Sequence, residues 1–161
     1  MIRKVSFLLI LFFMASILFG LTSCKKNKIE EFNDLETVIY QSILAQEGKY
    51  MVFIYGDNCH FCEMLKPKIL EYARYSLKKK DAIKIYGLNS SNTRVNKGLI
   101  ATGGDDSYDN FVNTTNYQDI HISTTPVLII VNNGKVTKFI SSKTTYYPKT
   151  EIETYITNLM K

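Results

Sequence analysis

Apolar residues occur along this 161-residue chain in blocks whose spacing changes from one block to the next. Val5 to Leu21 is a nearly unbroken apolar run of 17 residues behind Arg3 and Lys4, the pattern of a secretory signal with a basic head. From Asp34 to about Gln46, the residues Leu35, Val38, Ile39, Ser42 and Ile43 fall on one helical face. Asp34 serves as the N-cap of this expected helix and Gly48 as its stop. A brief edge strand is expected just ahead of it, over Ile29 to Phe32. Met51-Val52-Phe53-Ile54-Tyr55 is apolar at every position, as in a central strand covered on both faces. Helical spacing then returns with Met64, Leu65, Ile69, Tyr72, Ala73 and Leu77, through about Lys79, and Pro67 lies inside this helix.

A second strand is expected over Ile83 to Leu88 and a third over Thr124 to Val131. Between them Asn89 to Tyr117 is polar, with one helical turn expected around Ser107 to Val112. Asn132-Asn133-Gly134-Lys135 is a hairpin signal leading into Val136 to Ile140. A last helix follows, capped by Thr150, with Ile152, Tyr155, Ile156 and Leu159 on its buried face. A helical crossover makes the first two strands parallel, and the hairpin adds an antiparallel pair. The expected fold class is α/β, a central mixed sheet with helices on both faces.

Charge and cysteine usage narrow the setting. The formal net charge is +5; without residues 1–23 it falls to +3 over 138 residues (18 basic against 15 acidic side chains). That length suffices for one domain with a core, and the balance gives no reason to expect nucleic acid as a partner. Lys78-Lys79-Lys80 suits the negative end of a helix dipole and reads as a solvated terminus. Leu21-Thr22-Ser23-Cys24 resembles the bacterial lipoprotein box, which implies cleavage before Cys24 and lipidation of its sulfur. The expected organisation is a lipoprotein signal peptide at 1–23, a polar tether at 24–33 and one domain at 34–161. The domain would lie outside the cytoplasm, anchored by lipid to a bacterial membrane.

With Cys24 set aside, Cys59 and Cys62 remain. One closely spaced pair is too little for a disulfide-stapled scaffold, and so small a loop stabilises a fold only slightly. Cys59-His60-Phe61-Cys62 sits where an apolar strand gives way to a helix. Unpaired N–H groups and the dipole at a helix start favour a thiolate, and cysteines so placed titrate at roughly 3.5–7.5 instead of about 8.5. The stretch therefore reads as a thiol–disulfide exchange site. His60 is expected to stabilise the thiolate and hence the reduced form, which makes the disulfide more oxidising. Phe61 shares the ring, and Glu63 follows it with a carboxylate able to accept a proton or to oppose the thiolate. Copper handling is an alternative chemistry for thiolates. His60, however, lies between the two cysteines and His121 is a surface residue, so neither a metal nor another cofactor is expected.

These features together resemble the thioredoxin superfamily. The resemblance rests on the Cys-x-x-Cys pair at a strand-to-helix junction, Pro67 five residues after Cys62, Met64, the Thr125-Pro126 pair and Asn133-Gly134 in the hairpin. It covers about residues 34–161 apart from an insertion at about 89–117. It implies a thioredoxin-like fold, with Cys59 as exposed nucleophile and Cys62 as resolving thiol. Thr125 and a cis Pro126 would face the pair where a client segment binds. The implied function is a membrane-anchored thiol–disulfide oxidoreductase. It would form mixed disulfides with exported client proteins and be recycled by a membrane or extracytoplasmic redox partner. A secretion or bacteriocin-export accessory protein is the alternative, and a copper-binding chaperone a more distant one. Besides the insertion, the chain departs from the family at four places: Asn58 replaces a tryptophan, Phe53 replaces the buried acid, Glu63 stands where a lysine is common, and Ser141-Ser142 stand near a usual glycine.

Overall fold

The structure, a computed structural model, describes residues 28–100, 112–141 and 145–161. The expected signal at 1–23, Cys24 and most of the turn expected over Ser107 to Val112 lie outside these residues. The strands are β1 (Lys49–Tyr55), β2 (Lys84–Asn89), β3 (Val127–Asn132) and β4 (Lys135–Ile140), and the helices are α1 (His60–Lys78) and α2 (Pro148–Leu159). Short 3-10 turns occupy Phe32–Asp34, Tyr40–Ser42 and Tyr117–Asp119.

The strands form one sheet in the order β2-β1-β3-β4. β1 runs parallel to β2, with Val52 opposite Tyr86, and antiparallel to β3, with Val52 opposite Ile129. β3 and β4 are antiparallel and joined through Asn133 and Gly134, whose φ angles are 48° and 74°. A type I′ turn needs both central residues at positive φ, which asparagine and glycine tolerate best.

Strand alternation divides the core in two. Tyr50, Val52 and Ile54 of β1 pack on one face with Val127, Ile129 and Val131 of β3. Met51, Phe53 and Tyr55 pack on the other with Leu128 and Ile130. Both α-helices of the described residues cover this second face, α1 through Leu65, Ile69 and Ala73 and α2 through Ile152 and Ile156. The first face is covered by Val38, Tyr40, Ile43 and Leu44, and by Leu99, Ile120 and Ile122 from the β2–β3 crossover. The helices expected on both faces are thus α-helices on one face and 3-10 turns with irregular chain on the other.

The helix expected from Asp34 to Gln46 does not form. Leu35 is buried with the second face, Val38 and Ile43 with the first, and Ile39 is exposed. The segment therefore wraps around the edge of the sheet, and its apolar residues serve two faces instead of one helical stripe. At the edge, Gly87 N donates to Glu36 O (2.9 Å) and Val38 N to Gly87 O (3.1 Å). This pairing, at Thr37, replaces the edge strand expected over Ile29 to Phe32 and partly closes the open side of β2. A Cβ on Gly87 would stand 3.2 Å from Leu35 Cβ, so any side chain there would press on Leu35 at the crossing.

Ile29 and Phe32 are core residues, so the packed chain begins ahead of Asp34. Arg74 Nη1 donates to Ile29 O (2.6 Å), and Lys66 pairs with Glu31. At the other end, α2 starts at Pro148, where a missing N–H is harmless, and Thr150 falls inside the first turn instead of capping it.

Candidate active site at the start of helix α1

β1 delivers the chain into Gly56-Asp57-Asn58, and α1 begins with Cys59 as its N-cap. Cys59 and Cys62 are joined by a disulfide (S–S 2.01 Å, Cα–Cα 5.1 Å). The N–H of Cys62 donates to Cys59 Sγ (N to S 3.1 Å). An otherwise orphaned helix-start donor is thus aimed at the sulfur, from the positive end of the helix dipole. Cys62 is wholly buried among the residues of the second face, whereas Cys59 is half-buried.

His60 and Phe61 both face solvent, with ring centroids 5.7 Å apart; Phe61 is 54% exposed. Glu63 pairs with Lys66 (3.3 Å), which also holds Glu31 and lies 5.6 Å from the Phe32 ring centroid. The hydrogen bond to Glu31 is the main reason the Lys66 ammonium titrates above its ordinary value. Lys66 thereby offsets the negative charge that Glu63 brings to the first turn. Phe53 is fully buried, and its ring lies 5.3 Å from Phe32 and 6.2 Å from Tyr55. Phe53, where the resemblance implied a buried acid, belongs instead to an aromatic cluster on the same apolar face as Cys62. Tyr55 Oη donates to Asn33 Oδ1 (3.1 Å); burial, then the Asp57 carboxylate, raises this phenol above its ordinary value.

The Thr125–Pro126 peptide bond is cis. Thr125 lies against the Cys59 loop: a Cβ on Gly56 would be 3.4 Å from Thr125 Oγ1. Phe61, Thr125 and Pro126 line a groove of about 370 Å³ together with Tyr146, Tyr147 and Pro148. Tyr146 is 87% and Tyr147 66% exposed, and their rings meet edge to face at 4.7 Å. The expected neighbours of the disulfide, Phe61, Thr125 and Pro126, are therefore brought together. The two tyrosines were missed; adjacent aromatics before a proline in a short polar loop were the available signal. His121 lies elsewhere, its Nδ1 2.8 Å from Gly98 O. Among the described residues, no three His, Cys, Asp or Glu side chains form a group able to hold a metal ion.

The strand order and pairing are those of the thioredoxin-like α/β fold, and the disulfide stands where that fold carries its redox pair. The chain thus contains a thioredoxin-like domain. No protein-family model matches the chain, and no curated protein does. Among solved structures, the oxidized form of mitochondrial thioredoxin 3 from Saccharomyces cerevisiae is similar over 79% of this chain and 97% of that one, at 11% identity and a TM-score of 0.47. Thioredoxin f2 from Chlamydomonas reinhardtii is similar over 66% and 82%, at 15% identity and a TM-score of 0.44. A mutant thioredoxin from Halobacterium salinarum is similar over 78% and 92%, at 11% identity and a TM-score of 0.42.

Proposed function

We propose that the protein is a membrane-anchored thiol–disulfide oxidoreductase acting on exported proteins through Cys59 and Cys62. The observation that carries this reading is the asymmetry of the pair. Cys59 is accessible and has a helix-start N–H at its sulfur, while Cys62 is buried behind it. In the reducing direction, the Cys59 thiolate attacks a client disulfide, bonding to one client sulfur and releasing the other as a thiolate. The Cys62 thiol then gives up its proton and attacks Cys59 Sγ, which closes the ring and frees the second client sulfur. Two electrons pass to the client, and its two thiolates take up two protons. The reverse sequence oxidises a client dithiol, and a thiol or disulfide redox partner regenerates the pair.

The groove lined by Thr125, Pro126 and Phe61, the last from within the Cys59–Cys62 ring, offers a client segment an aromatic surface. Anchoring and export rest on the sequence of residues 1–24, a basic head, an apolar run and Cys24. The test is Cys62→Ser in the full chain, which blocks resolution and leaves clients bonded to Cys59. Reductant-sensitive adducts with exported proteins, absent when Cys59 is also changed to serine, are expected in the membrane fraction. Adducts dominated by one protein would select the dedicated export-accessory form of this role. An empty trap, or adducts that survive loss of Cys59, would end the exchange reading.

A further inference from the structure

A closed ring of hydrogen bonds ties the exit of β2 to the loop that presents Cys59. Asn89 Nδ2 donates to Asp57 Oδ1 (2.7 Å), Asp57 N donates to Ser91 Oγ (2.9 Å), and Ser91 N donates to Asn89 Oδ1 (2.9 Å). Beside the ring, the N–H and Oγ of Ser90 both donate to Tyr55 O (2.8 Å each). The chain from Tyr55 to Asp57 is therefore held from the β2 side. Gly56 O within it accepts the N–H of Cys59 (3.3 Å). Behind the ring sits the buried Asn96, whose Nδ2 donates to Asn89 O (2.8 Å) and whose Oδ1 accepts from Tyr40 N (2.9 Å). The ring is thus fastened to the β2–β3 crossover and to the segment that covers the first core face.

We propose that Asp57, Asn89 and Ser91 are positioning residues for Cys59, an inference that rests on the exchange function above. They hold the loop so that the Cys59 sulfur stays at the Cys62 N–H. Charge does not explain Asp57, because a carboxylate two residues from a nucleophile opposes the thiolate that nucleophile must form. Burial does not explain Asp57 or Ser91 either, since both are exposed and neither adds apolar area to the core. What remains is geometry: three residues, each giving and accepting one hydrogen bond, around the turn that sets the first residue of α1.

The test follows Cys59 alkylation by iodoacetamide against pH in the reduced full-length protein, read by mass, and the equilibrium of the pair with glutathione. Ser91→Ala, which removes one ring hydrogen bond, is expected to slow alkylation at neutral pH by about 2- to 10-fold, and Asn89→Ala, which removes two, by at least as much. They should also move the profile to higher pH. Asp57→Asn keeps the acceptor for Asn89 and should remain near wild type, while Asp57→Ala falls with the others. Unchanged or faster alkylation in the three alanine variants, together with an unmoved glutathione equilibrium, would overturn the proposal, even where thermal unfolding shows a loss of stability. Equal losses in Asp57→Asn and Asp57→Ala would show that the retained acceptor does not hold the loop and overturn the proposal for Asp57. A wild-type pair that does not exchange with glutathione would remove the function itself. A wild type that exchanges, with variants within twofold of it, removes only the positioning role.

Discussion

Phe32→Ala tests whether the chain ahead of β1 is part of the fold. Phe32 is 5% exposed, with ring centroids at 5.3 Å from Phe53 and 4.7 Å from Tyr55. Truncating a buried phenylalanine costs about 3–5 kcal/mol through lost transfer energy and the cavity left behind. The Lys66 ammonium above its ring adds little, because a cation–π contact at a partly solvated site contributes about 0.5–1 kcal/mol. Domains are stable by about 5–15 kcal/mol, so the variant should fold with a thinner margin. With a urea m-value of about 1–3 kcal/mol per molar, the unfolding midpoint should fall by roughly 1–5 M. Far-UV circular dichroism is the suitable probe, since the chain has no tryptophan. Phe61→Ala is the control: it is 54% exposed, and a surface change of that kind stays within about 0.5 kcal/mol. A Phe32→Ala midpoint within about 0.5 M of wild type, or equal to that of Phe61→Ala, would mean that residues 29–32 do not pack on β1 and α1.

Two further predictions concern tyrosines. Tyr72 donates its hydroxyl to Ile83 O (2.8 Å), and burial pushes its pKa from 10.0 up to about 12. A raised folded-state value means that the neutral phenol stabilises the fold below pH 10, and that this contribution is lost as pH climbs from 10 through 12. At about 1.4 kcal/mol per pH unit the loss approaches 3 kcal/mol, and urea midpoints measured from pH 9 to 11.5 should decline less steeply in Tyr72→Phe. Parallel slopes would refute the assignment. At the groove, Tyr147→Ala should raise KM for a protein client about 5-fold or more, as loss of an aromatic anchor does. An unchanged KM across several clients would remove Tyr147 from the docking surface.

Elements whose residues answer to one neighbour were the ones legible in the sequence. β1 is apolar throughout because both its faces are covered, and the hairpin was legible because Asn133-Gly134 meets a local backbone demand. The disulfide was legible for the same reason, since four consecutive residues at a helix start fix its surroundings. The segment from Leu35 to Ile43 misled because apolar residues bound for opposite faces happen to be spaced as a helix. Asn89 to Tyr117 was read as polar chain, yet Leu99 within it lies deep in the core, as do Ile120 and Ile122 just beyond it; a few apolar residues without a period give no element to predict. Asn89 and Ser91 had no visible connection to Cys59, because strand pairing alone brings the end of β2 beside the end of β1. Only the parallel register, with Tyr55 opposite Asn89, makes that connection.

The strap that fastens Ile29 to Arg74 also limits where the domain can work. Five residue steps separate Cys24 from Ile29, at most about 17 Å of fully extended chain. A folded domain of this size has a radius of gyration of about 14 Å and so measures roughly 36 Å across, about twice the length of the leash that holds it. With Cys24 seated in lipid, as proposed, the sulfur pair would patrol a shell one molecule deep above the bilayer. Proteins would meet it while emerging from the membrane, before diffusing away.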